Sequence, residues 1–342
     1  MIPALPSEES QRNCPWYLWP NLLGLDAPLV AVSWAWLYAR LQHADLPVVL
    51  YLVLAGAVWV IYMADRLADV CYLKTERASF SPRHAFVRRR FVLIVFAVLA
   101  VAGFCFYGAG WLIPEAIWTL GLWLGGATLV YQLLVWSPRR KWAAVLLRIL
   151  LAATLGLACA ISGLPVWLKV AYGCLLLGLV LLSANSPKDA RRIEPPKEAV
   201  AGLLFALGSI FPATYYTPGS FTAISFGQVC VLWALCALNC LSISWVERHL
   251  DRQGDPAALP QRVGYAAGIV PLGLVLGMVL CGVFWQAQDS GGGFFYLFAA
   301  LSMALLLALW SRRESISRDL FRTLADAALL TPALFFLVSA WT

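Results

Sequence analysis

The chain has 342 residues, of which 61% are hydrophobic and only 13% charged, with a mean hydropathy of +0.77. Such values exclude a soluble globular domain of this length and leave an integral membrane protein. The net charge of +7 calls for no nucleic acid, because basic loops beside anionic lipid account for it.

Windows of about 20 apolar residues predict spans near 18–42, 46–65, 91–109, 112–136, 143–163, 165–184, 198–216, 222–246, 264–286, 294–310 and 322–341. The expected fold is an all-α polytopic membrane bundle of about nine to eleven transmembrane helices. No soluble domain interrupts it, so residues 1–342 are expected to form a single integral membrane domain. The opening segment lacks a basic region and a short apolar core, and does not read as a signal peptide. Placing the N-terminus in the cytoplasm puts all but Arg40, Arg148 and Lys169 of the 25 Lys and Arg on the inner side. The nine cysteines fall mostly inside spans and read as small apolar packing residues.

Two polar stretches, 65–90 and 247–263, each begin at an acidic pair. Asp65 and Asp69 close the second span, and Asp251 and Asp255 follow the eighth. Residues four apart on a continuing helix share one face, so each pair can grip one divalent cation. Asn239 and Glu247 extend the second row along the same side, although Gly254-Asp255-Pro256 is expected to end that helix. Around the first pair, Arg66, Lys74, Arg77, Arg83, Arg88 and Arg89 are available to neutralise phosphate oxygens. An interfacial helix end whose Asp and Arg pair with each other is the plainer reading of that stretch. Asp26, in the first span, and Asp326, in the last, are costly in hydrocarbon and must face the bundle interior. There Asp26 would orient an acceptor or bond to a neighbouring helix. His84 and His249 lie in the polar stretches and read as solvated loop residues.

With these residues in view, the chain resembles the UbiA superfamily of intramembrane prenyltransferases. That family has Asn-Asp-x-x-Asp-x-x-x-Asp after its second helix and Asp-x-x-x-Asp before its last three. Asp65 and Asp69 match the end of the first motif, and Asp251 and Asp255 match the second. The segment from Leu259-Pro260 to Gly264 is similar to the Leu-Pro-x-x-x-Gly that follows it, and Tyr131 with Arg139, Arg140 and Lys141 is similar to the close of the family's fourth helix. Ile61 and Tyr62 stand where the family has Asn and Asp. Six predicted spans separate the motifs here, against four in the family.

The resemblance implies Mg²⁺ held by Asp65, Asp69, Asp251 and Asp255, with Glu247 beside them. It also implies an isoprenyl diphosphate donor and an aromatic or lipidic acceptor. Arg66, Lys74, Arg77, Arg139, Arg140, Lys141, Lys188, Asn239 and Asp26 are then the candidate substrate contacts. The competing expectation is a non-catalytic binder or transporter of a polyprenyl phosphate or phospholipid.

Overall fold

The first apolar stretch does not run straight. A 3₁₀ turn (Trp16–Leu18) and a one-turn helix, α1 (Trp19–Leu22), give way at Leu23-Gly24-Leu25 to α2 (Asp26–Leu41), and the two pieces are bent by 77°. Gly24 makes the break possible, because its φ of +68° lies in the left-handed region that only glycine enters cheaply. A Cβ there would stand 2.8 Å from Met63 Sδ. The carbonyls exposed by the break are taken up by α3 (Val48–Tyr72): Trp59 Nε1 donates to Leu23 O at 2.8 Å, and Arg66 donates to Asn21 O at 2.6 Å.

The computed structural model describes residues 15–72, 82–136, 197–216, 223–254, 266–286 and 293–339, and every regular element among them is helical. After α3 come α4 (Pro82–Arg89), α5 (Phe91–Leu112), α6 (Glu115–Trp136), α7 (Lys197–Thr214), α8 (Ala223–Gly254), α9 (Ala266–Gln286), α10 (Gly293–Ser311) and α11 (Arg318–Ala327). A second 3₁₀ turn (Ala328–Leu330) leads into α12 (Pro332–Ser339).

Among the described residues, five helices are long and apolar enough to cross a membrane: Val48–Cys71, Phe91–Leu112, Phe226–Arg248, Gly268–Gln286 and Gly293–Ser311. The bent pair at Gly24 makes a sixth if it counts as one span. This is an all-α, multi-pass bundle. The expected spans at 143–163 and 165–184 lie outside the described residues. The expected span at 198–216 is a shorter apolar helix, Glu198–Thr214. The one expected at 322–341 is broken. Polar α11 ends at Ala327, and the chain restarts only at Pro332, which has no N–H to continue an α ladder.

The chain divides into two compact units, residues 1–106 with 196–342 and residues 107–195. In the second, Tyr107 stacks on Trp111 with ring centroids 5.4 Å apart, and the Thr128 hydroxyl donates to Leu124 O at 2.8 Å. In the first, α7 packs along α8, α9 along α10, and α2 lies against α3 and α7. Lipid is as apolar as leucine, so such packing rests on close approach and not on escape from water. Gly202 supplies that approach on α7, since a Cβ there would meet the Ala237 backbone N at 2.7 Å. Aromatic rings fill the centre, where Trp34 meets Phe295 edge-on at 5.1 Å and donates Nε1–H to Leu329 O at 2.9 Å. Outward faces stay apolar, as at Leu93, Phe96 and Leu99 on α5 and Leu272, Leu276 and Val279 on α9.

Candidate functional site

α3 and α8 both continue as helix past their apolar stretches, and each carries an acidic row into its last turns. Asp65 and Asp69 therefore share a face of α3, and Asn239, Glu247 and Asp251 follow one another along α8. Short α4 connects the two rows through neighbouring residues. Arg83 pairs with Glu247 Oε2 at 3.4 Å, while His84 Nε2 stands 3.5 Å from Asp69 Oδ2. Arg322 of α11 takes the other oxygen of Glu247 at 2.7 Å. The Glu247 side chain is only 12% exposed, and the Asp69 side chain 45%. Carboxylates 178 residues apart (Asp69, Glu247) thus come to one end of the first unit.

A small cavity of about 10 Å³, lined by Leu18, Asn21, Leu22, Pro82, Arg83, Asp319 and Arg322, opens at this end. It has room for about one water. Beneath it lies a buried polar cluster. The Asn21 amide donates to Asp26 Oδ2 at 2.6 Å, and the Ala27 backbone N–H donates to Oδ1 at 3.0 Å. Asp26 opens α2, where the positive end of the helix dipole favours a carboxylate. Tyr62 points its hydroxyl at Asp26 Oδ2 from 3.5 Å, and Arg66 donates to that hydroxyl at 3.0 Å. The Arg66 guanidinium also sits 4.3 Å above the Tyr62 ring. From α11, Asp326 comes within hydrogen-bonding reach of Asp26 and accepts from Asn239 Nδ2 at 3.1 Å. Burial first, and then Asp26 beside it, raises the Asp326 carboxyl well above the ordinary carboxylate range.

Several residues expected to touch substrate are therefore found together inside the bundle. Asp26 and Asn239 belong to the buried cluster, and Arg66, 4% exposed, turns inward to close the end of α1. Asp65 is half-buried on α3. Asp251 lies on α8; its side chain, together with Lys74, Arg77, Arg139, Arg140, Lys141, Lys188 and Asp255, falls outside the described parts. Tyr62, Asn21 and Arg322 were not among the expected site residues. Two of them carried a usable signal, because Tyr62/Arg66 and Arg322/Asp326 are each four apart on a helix.

The donor set for Mg²⁺ is incomplete among the described residues, where no three of His, Cys, Asp and Glu come together to hold an ion. Asp69 stands beside His84, and both oxygens of Glu247 already face arginines. The groups that would complete the expected set are Asp255 and the Asp251 side chain. Comparison of the chain with family models, with curated proteins and with solved structures found no match.

Proposed function

We propose that the protein is an intramembrane prenyltransferase that moves an isoprenyl group from an isoprenyl diphosphate to an aromatic or lipidic acceptor. The observation that supports this most is the link made by α4, whose adjacent Arg83 and His84 face Glu247 on one long helix and Asp69 on another. Acidic rows brought to one end of an apolar bundle, with arginine between them, suit a donor whose head is charged and whose tail is hydrocarbon. The tail belongs among the apolar faces of the bundle, and the diphosphate at its acidic end. Mg²⁺ bound between Asp65, Asp69, Asp251 and Asp255 would supply charge neutralisation for the phosphate oxygens. Arginines at the same end add charge-assisted hydrogen bonds to the leaving pyrophosphate. The allylic C–O bond breaks with its electron pair going to pyrophosphate, and the acceptor closes the new bond and loses a proton.

A specific observation favours the second reading, a non-catalytic binder of a polyprenyl phosphate or phospholipid. Glu247 is engaged on both oxygens and offers little to a metal. One experiment separates the two. Purified full-length protein is incubated with an allylic diphosphate, and pyrophosphate release is measured with and without Mg²⁺. Release that requires Mg²⁺ and is lost in Asp69→Asn and in Asp251→Asn supports the transferase. Saturable binding of the diphosphate without release, in the unsubstituted protein, replaces it with the binder.

A further inference from the structure

We infer that Asp26, buried, and Asp326, half-buried, together form a binding site for a single proton, reached from the cavity above it through Asn21. The transferase reading does not require this site, and the site does not depend on that reading. Its two carboxylates are 300 residues apart and come from helices α2 and α11, yet lie within hydrogen-bonding reach of each other. Like charges at such a distance, with little water around them, do not both ionise; the stable arrangement holds one proton on the pair. The local charge balance agrees. Two ionised carboxylates against the one guanidinium of Arg66 leave a net charge of minus one, and one proton cancels it.

Asn239 gives an independent sign of the missing proton. The residue is only 5% exposed, its Nδ2 donates to Asp326 Oδ1, and among the described residues its Oδ1 has no hydrogen-bond partner. A buried acceptor left without a donor is costly. With the amide turned so that its oxygen takes the 3.1 Å contact, a protonated carboxyl at Asp326 is the donor it lacks.

Among the described residues, the elements packed around the pair bring the following groups. α3 brings Arg66 and Tyr62, α4 brings Arg83, which acts on Tyr62, and α8 brings Asn239. Arg322 and Asp319 precede Asp326 on its own helix. α10 and α12 carry no charged residue, and α7 has its two, Lys197 and Glu198, in its first turn. A hard metal cation is the weaker occupant, because it takes about six oxygen ligands. Two of the oxygens here already accept from Asn21 and the Ala27 N–H. Asn21 lines the cavity and also bonds to Asp26, so one side chain separates the site from the opening.

Infrared difference spectroscopy of the full-length protein in lipid nanodiscs, between neutral and alkaline pH, tests the inference without any substrate. The unsubstituted protein should show a protonated-carboxyl C=O band at neutral pH that disappears on alkalinisation. Asp326→Asn should lose that band, Asp26→Asn should make it disappear at lower pH because one of the two causes of the raised carboxyl is gone, and Asp45→Asn, at an exposed position, should leave it unchanged. Absence of the band from the unsubstituted protein overturns the site without appeal to any variant, and so does an unchanged band in either Asp26→Asn or Asp326→Asn. Thermal stability that follows Na⁺ concentration at fixed pH, with no dependence on pH, overturns it in favour of a metal cation.

Discussion

Glu247 holds the acidic end of the first unit together, and removing its charge gives a graded test of that geometry. Glu247→Gln removes the negative charge from contacts of 2.7 Å to Arg322 and 3.4 Å to Arg83, both at side chains 17% exposed, and leaves one carbonyl oxygen to be shared between them. Breaking a fully buried ion pair costs about 3–5 kcal/mol, and the residual water here reduces that to about 2 kcal/mol. The cost should be shared unequally. A charge-assisted bond at the shorter distance is near optimal, whereas the longer one lies at the edge of bonding geometry. Double-mutant cycles with Arg322→Met and Arg83→Met should therefore give coupling energies of about 1.5 and about 0.5 kcal/mol respectively. Reversible denaturation in detergent, followed by tryptophan fluorescence, supplies the four free energies of each cycle. Equal couplings, or a larger one for Arg83, would refute the assignment of Arg322 as the principal partner.

Three further outcomes follow from the packing. Gly202→Ala should destabilise the protein by about 1–3 kcal/mol in the same assay, because the added methyl meets Ala237 backbone, which cannot swing aside. Trp34→Phe should cost about 1–3 kcal/mol by leaving the buried Leu329 carbonyl without its donor, read as a lowered midpoint of unfolding. The raised Asp326 carboxyl binds its proton more tightly in the folded than in the unfolded chain. Stability should accordingly fall as pH rises from the ordinary carboxylate value of 3.8 through the raised one, by up to about 1.4 kcal/mol per pH unit, and Asp326→Asn should flatten that slope.

Local pattern made part of this architecture legible. The four-residue spacing of Asp65 and Asp69, and of Asn239 and Glu247 at eight, marks faces on helices that do continue through them, and the apolar windows around 46–65, 91–109, 222–246, 264–286 and 294–310 correspond to spans. Gly24 was harder to read. A glycine inside an apolar run is tolerated by a straight helix, and only the positive φ and the nearness of Met63 distinguish a break. Pro332 is the local signal at the other end, since it interrupts a run whose composition alone suggests a span. The meeting of Asp26 with Asp326, and of Glu247 with Arg322, has no local signature. Such pairings depend on how whole helices stack, which a single sequence does not encode in any short window.

The eight residues of α4 matter beyond the contacts they make. With side chains of consecutive positions facing α3 and α8, the short helix behaves as a crossbar between two levers. The contacts run from Asp69 to His84, from Arg83 to Glu247, and from Glu247 through Arg322 to the helix that carries Asp326. The carboxylates at the rim and the pair beneath them thus belong to one continuous run of side chains.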